Sequence, residues 1–230
     1  LKGGQITPNM ISRAKILAKK YFDDKGYKNA EINILQRDDV ANKNQVILDI
    51  DVDKKEKLKV RNIIIEGNEQ LPIKKIKGSF FSKGAFAKTH EAGKLGNLLK
   101  SKKFTPERWA EDKKNLITKY NAFGFRDATI LKDSVWNVDP KHVDIYVKVN
   151  EGKKYYIRNI SWVGNTVYST DYLSRLLGMK KGDVYNQTYL SKRLSQDEDA
   201  VGNEYWNNGY LFYRLEPTEV NIVGDSIDLE

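Results

Sequence analysis

The chain has 230 residues, 40% of them hydrophobic, no cysteine and a formal net charge of +9 at pH 7. That length holds one or two ordinary domains, or more if they are small. The missing cysteines exclude disulfides, zinc–thiolate centres and cysteine nucleophiles, and no apolar run approaches the about 18 residues of a membrane-spanning helix. The positive balance suits nucleic acid, anionic lipid headgroups or an acidic partner; it equally suits lysine-rich helix faces turned to water. With no initiator methionine and no signal-peptide pattern, the chain reads as a mature segment or a piece cut from a longer protein.

Taken in order, Thr7-Pro8 predicts a helix start, with a capping hydroxyl and a proline at the first helical position. Met10, Ala14, Leu17 and Tyr21 follow at helical spacing, and Gly26-Tyr27 ends the helix. A strand is expected from Ala30 to Gln36, a turn at Asn42-Lys43-Asn44, and a second strand in which Val46, Leu48, Ile50 and Val52 form one buried face. Val60–Glu66 reads as a strand, Ile73 to Phe81 as a short helix, and 82–104 as an irregular, lysine-rich stretch. Thr105-Pro106 starts another helix, with Trp109, Leu116, Ile117 and Tyr120 as its apolar stripe, and Gly124-Phe125 ends it. Arg126 to Asn137 is a predicted strand, followed by a turn at Asp139-Pro140 and a strand carrying Val143, Ile145, Val147 and Val149. The last stretch predicts a helix capped by Ser169 or Thr170 and closed by Gly178, and a longer one from Asn186 through Leu190, Leu194, Val201 and Tyr205. It ends with a strand from Leu211 to Val220 and a final strand from Ser226.

One phrase occurs twice. Val60-Arg61-Asn62-Ile63-Ile64-Ile65-Glu66-Gly67-Asn68 returns as Ile157-Arg158-Asn159-Ile160-Ser161-Trp162-Val163-Gly164-Asn165, 97 positions on. That spacing is too long for a solenoid repeat and suits a small domain. Around it the order is strand, helix, helix, glycine–aromatic, strand, turn, strand. The expected fold is therefore α+β, in tandem βααββ units, each a three-stranded mixed sheet with two helices on one face. The third strand is predicted to lie between the first two, parallel to the first and antiparallel to the second. Residues 1–57 read as the C-terminal part of an incomplete unit. Residues 58–154 read as a complete unit with an insertion at about 82–104, and 155–230 as a unit whose last strand is truncated. The predicted core of the middle unit includes Ile63, Ile65, Trp109, Leu116, Tyr120, Val143, Ile145 and Val147.

The opening phrase, the glycine–aromatic pair after the second helix and the run Val149-Asn150-Glu151-Gly152-Lys153-Lys154-Tyr155 together resemble POTRA domains, as found in the periplasmic arm of BamA-type outer-membrane assembly factors. The resemblance implies a non-enzymatic scaffold on the periplasmic side of the bacterial outer membrane. It implies unfolded outer-membrane proteins as clients, accessory outer-membrane lipoproteins as partners, and a C-terminal membrane β-barrel that this chain does not include. In the family the second strand is the exposed edge, where an extended client adds as a further strand. Here that implies Arg126, Asp127, Ala128, Thr129, Ile130 and Leu131, with a counterpart at Leu211, Phe212, Tyr213, Arg214 and Leu215. The alternative is that these strands only complete their own sheets.

Trp206 lies off the apolar stripe of its helix and, with Lys94, Lys100, Lys102 and Lys103, is a candidate partner surface; Trp162 and Tyr205 fit the core. His90 and His142 have no partner at metal-ligand spacing, so no metal site is expected. Asp197-Glu198-Asp199 reads as solvated surface. No catalytic constellation and no cofactor motif is visible. The rival reading is an RNA-binding array of KH-like domains, in which Gly93-Lys94-Leu95-Gly96 clamps the RNA backbone. The last unit has no such loop between its helices and no third helix follows the middle unit, so nucleic acid is not the expected partner.

Overall fold

The computed structural model describes residues 4–79, 82–89 and 103–230. The chain parts into two compact units. One comprises residues 1–64, 86–112 and 133–147, the other 65–85, 113–132 and 148–230.

The first stretch holds helix α1 (Pro8–Asp24) and an antiparallel pair, β1 (Glu31–Asp38) and β2 (Val46–Asp53). Thr7 caps α1 by accepting the Met10 N–H, with Pro8 in the first turn. The predicted buried face of β2 is only half formed: Val46, Leu48 and Val52 are half-buried and Ile50 is exposed. Met10, Leu17 and Tyr21 of α1 are exposed too. A pair of strands under one helix has little apolar surface to bury.

The middle stretch contains β3 (Lys59–Glu66), α2 (Ile73–Lys77), the short pair β4 (Gly78–Ser79) and β5 (Ser82–Lys83), α3 (Pro106–Ala122), β6 (Thr129–Asp139) and β7 (His142–Asn150). Its sheet has the order β3-β7-β6, with β7 central as predicted. Alternate residues of β7 (Val143, Ile145, Val147 and Val149) are buried, as are Ile63, Trp109, Leu116 and Tyr120, whereas Ile65 is half-buried. The helix expected from 73 to 81 stops at Lys77, because Gly78 turns the chain at φ +76° into the β4–β5 pair. The strand expected from 126 begins at Thr129, because residues 126–127 form a turn.

The last stretch contains β8 (Tyr156–Ile160), α4 (Thr170–Leu177), α5 (Gln187–Ser191), a π-helical turn (Lys192–Gln196), α6 (Val201–Asn207), β9 (Glu219–Val223) and β10 (Ser226–Leu229). Its sheet has the order β8-β10-β9; β10 is parallel to β8 and antiparallel to β9. Ser169 and Asn186 cap their helices, and Gly178 closes α4 in the left-handed conformation. The single long helix expected after Asn186 is broken at 197–200. There Arg193 gathers the Leu176 carbonyl, Asp197 and Asp199 around its guanidinium, which rewards a widened turn over a continuous helix. The strand expected from Leu211 begins only at Glu219. The ladder reaches Thr218, whose N–H and C=O both pair with Glu230, and among the described residues no strand pairs with 211–217.

The arginine of the repeated phrase has the same partner in both copies. Arg61 grips Asp144 on β7 with two hydrogen bonds, Nε at 3.0 Å and an Nη at 2.6 Å. Arg158 grips Asp228 on β10 in the same bidentate manner. Each aspartate carboxyl is held below its ordinary value, chiefly by that hydrogen bond.

Candidate functional site

Two strands stand at sheet edges where the sequence predicts an interaction surface. β6 is eleven residues long and bonds to β7 along one side. Of the predicted edge residues, Thr129 and Leu131 are exposed on it, Leu131 by 59%, and Ile130 is half-buried. Trp136 further along is 41% exposed. Arg126, Asp127 and Ala128 precede the strand; Ala128 is buried and the other two serve a joint described below. Leu211, Phe212, Tyr213, Arg214 and Leu215 likewise precede the second edge strand, β9, which itself exposes Val220, Ile222 and Val223. An edge strand offers a row of backbone donors and acceptors to any extended chain. Neither β6 nor β9 contains proline, which would interrupt that row.

The glycine–aromatic pairs, legible as helix stops, turn out to be joints. At the first, the Leu58 N–H donates to the Gly26 carbonyl at 3.2 Å, and the Leu58 carbonyl accepts from Phe104 N at 2.8 Å. At the second, Tyr155 N donates to the Gly124 carbonyl and the Tyr155 carbonyl accepts from Tyr185 N, both at 2.9 Å. β3 and β8 therefore each begin threaded between a glycine–aromatic helix stop and the residue two before a later helix, α3 or α5. Both glycines are left-handed, at φ +89° and +92°, a conformation costly for side-chain-bearing residues.

Side chains reinforce both joints. At the first, Lys28 lies over the Phe104 ring, and the Asn29 side-chain oxygen Oδ1 accepts from the Asn137 side-chain amide at 2.7 Å. At the second, Arg126 pairs with Glu219 at 2.6 Å and lies over the Tyr155 ring. The Tyr155 hydroxyl donates to Asp127 at 2.8 Å, and that of Tyr185 to Glu219 at 2.7 Å. The bond to Asp127 raises the Tyr155 hydroxyl pKa; burial, followed by the bond to Glu219, raises that of Tyr185. Both phenols stay protonated donors at physiological pH.

Two buried carboxylates hold the loops of the middle stretch; the sequence reading did not single out Asp112 and took Glu151 only as part of the run 149–155. Asp112 on α3 accepts the backbone N–H groups of Lys88 and Thr89 and the Thr89 hydroxyl. Glu151 accepts those of Gln70 and Leu71 at 2.7 and 3.0 Å. Asp112 stands in the charged run Glu111-Asp112-Lys113-Lys114 and Glu151 beside Asn150 and Gly152, so nothing local marks either as buried.

Trp206 is 57% exposed on α6, while Trp162 and Tyr205 are half-buried. The Trp162 indole donates to Ser174 at 3.0 Å, and Tyr205 packs among Tyr168, Tyr210 and Tyr213. Lys103 is exposed and bridges to Lys59. Lys94, Lys100, Lys102, His90 and the Gly93–Gly96 loop lie outside the described residues. His142 bonds Asp139 at 2.9 Å. Among the described residues no group of three or more histidine or acidic side chains is placed to hold a metal ion, and no helix is long and apolar enough to cross a membrane.

The POTRA family model, described as a surface antigen variable number repeat, matches residues 58–152 and again 155–230. The outer membrane protein assembly factor BamA of Neisseria meningitidis is 31% identical over 83 residues, 34% of this chain and 10% of that protein. BamA of Neorickettsia risticii is 26% identical over 170 residues, 70% of this chain and 20% of that protein. The chain thus spans a fifth or less of these relatives' length. Among solved structures, Haemophilus influenzae BamA POTRA3-5 aligns with a TM-score of 0.49 at 17% identity, covering 100% of this chain and 82% of that one. The N-terminal domain of Omp85 from Thermosynechococcus elongatus aligns with a TM-score of 0.39 at 16% identity, covering 99% and 83%.

Proposed function

Because the chain belongs to the POTRA family, we propose that it is part of the non-enzymatic, periplasmic scaffold of an outer-membrane β-barrel assembly machine. Residues 58–154 and 155–230 are successive repeats, and 1–57 is the C-terminal part of an incomplete one. Unfolded outer-membrane proteins are the clients, and they add as an extra strand to an exposed sheet edge. Accessory lipoproteins dock at exposed surface residues, with Trp206 the candidate in the last repeat and Lys103 a separate candidate in the middle one, and a membrane β-barrel belongs to the same machine.

The observation that carries client pairing is β6, an eleven-residue edge strand bonded on one side, with Leu131 exposed on it. Pairing by backbone is largely blind to side chains, which suits a receptor for many clients. The edge moves from the residues first expected: Thr129, Ile130 and Leu131 remain on it, and the counterpart in the last repeat becomes β9. The test is a ten-residue peptide of alternating apolar and polar residues, in plain form and N-methylated at alternate positions along either side. Methylation removes the donors of one side and keeps every side chain. Binding to the protein is expected to survive methylation on one side and to fall at least about tenfold on the other, the loss of two or more hydrogen bonds. Equal binding of all three peptides refutes strand addition.

A further inference from the structure

The chain makes the glycine–aromatic turn three times, and in two of them the turn holds the start of the next repeat. Through the glycine and the aromatic the backbone is the same in all three; beyond them Ala30 N and Ala128 N donate to the Tyr27 and Phe125 carbonyls, whereas in the third turn Leu211 N donates to the Gly209 carbonyl. Gly26, Gly124 and Gly209 donate to the carbonyls of Asp23, Asn121 and Trp206, three residues back. The following aromatics, Tyr27, Phe125 and Tyr210, donate to Phe22, Tyr120 and Tyr205, five residues back. The glycine φ values are +89°, +92° and +86°. A Cβ at Gly26 or Gly124 would meet atoms of the incoming repeat, the Phe104 carbonyl at 3.2 Å or Val184 Cγ1 at 2.5 Å, whereas at Gly209 that side is open.

We propose that Gly209–Phe212 is a third seat, built for a further extended segment of the same polypeptide. The two occupied seats set the spacing: Leu58 follows Gly26, and Tyr155 follows Gly124, by 32 and 31 residues. The matching position after Gly209 lies past Glu230, in keeping with relatives much longer than this chain. The incoming residue donates its N–H to the Gly209 carbonyl. That oxygen already accepts from Leu211 N at 3.0 Å, and a carbonyl has a second lone pair to offer.

The third seat differs in chemistry, and the difference names the kind of surface it meets. The second and third residues after the glycine face the incoming repeat. They are polar in both occupied seats, Lys28 and Asn29, then Arg126 and Asp127, and they reach ring faces, an amide, a carboxylate and a hydroxyl. In the third seat they are Leu211, half-exposed, and Phe212, fully exposed, with Tyr210 beside them. Contiguous exposed apolar side chains at a backbone-defined seat mark a contact surface. The segment that docks there therefore presents an apolar face rather than ion-pairing groups.

The proposal rests on the chain being one stretch of a longer POTRA protein and is independent of client pairing at β6, so either can fail alone. The chain has no cysteine, so Phe212→Cys supplies a lone thiol; Leu211→Cys is the second variant and Val40→Cys, at a fully exposed position, the control. Maleimide labelling is compared between the 230-residue chain and the same polypeptide carried through its natural continuation. Labelling at 212 and 211 is expected to slow at least about tenfold in the longer chain, with position 40 unchanged, because a covered thiol reacts only on local opening. Equal rates at 212 and 211 in the two chains overturn the proposal. So does protection that appears in the 230-residue chain as its concentration rises, which assigns the face to a second copy.

Discussion

Gly67→Ala is expected to lower the melting temperature of the middle repeat by roughly 10–20 °C, while Gly164→Ala, the same change at the same place in the repeated phrase, costs about half as much. Both glycines close the repeated phrase with positive φ, +86° and +78°, and a side chain in that conformation costs about 1–2 kcal/mol. Only Gly67 faces a wall. A Cβ there would stand 2.1 Å from the Val149 carbonyl oxygen and 3.2 Å from its carbon, both backbone of β7, whereas nothing lies within 4 Å of the Gly164 position. No rotamer change relieves a clash with backbone, so the strand must shift, at a further cost of roughly 1–3 kcal/mol. Thermal unfolding of the two variants followed by circular dichroism decides the point. Equal losses would mean that the close approach to Val149 is not what fixes glycine at position 67.

Asp112→Ala is the second large effect. Its carboxylate is fully buried and accepts from Lys88 N at 3.0 Å, Thr89 N at 2.7 Å and the Thr89 hydroxyl at 2.7 Å; Thr89 is itself buried. Removing the acceptor strands buried donors at about 1–3 kcal/mol each. The expected loss is about 3–5 kcal/mol in urea unfolding, with faster amide exchange at Lys88 and Thr89. Asp112→Asn, which keeps one acceptor oxygen, should fall between the two. A loss under about 1 kcal/mol for the alanine variant, within the range of an ordinary surface change, would contradict the anchoring role.

What the sequence revealed and what it hid follow one physical division. Periodicity and punctuation are local, so the helix starts at Thr7-Pro8, Ser169 and Asn186 and the alternation of β7 were legible, and the repeated phrase exposed the repeated unit. Features that depend on a distant partner were not. The strand from Leu211 was expected from its apolar residues, but a ladder also needs a strand opposite, and pairing runs only as far as Thr218 with Glu230. The break after the π-helical turn depends on Arg193 reaching the Leu176 carbonyl, 17 residues away. The donors of Asp112 and Glu151 lie 23–24 and 80–81 residues from them, and an acidic residue with no visible partner reads as solvated. The glycine–aromatic pair was read as a helix stop because that role is local; its role as a joint is set by a donor 31 or 32 residues on. The candidate edge was legible only in part for the same reason. Thr129, Ile130 and Leu131 fall on β6, while Arg126 and Asp127 are claimed by the joint that precedes it.

The most direct test of the scaffold reading is a two-dimensional NMR titration of the isotopically labelled chain with a peptide from a strand of an outer-membrane barrel. The account predicts saturable shifts of backbone amides along Thr129–Asp139, with Glu219–Val223 as the second responding edge and the buried strand β7 least affected. A titration in which the peptide binds but leaves the β6 amides unmoved would contradict it.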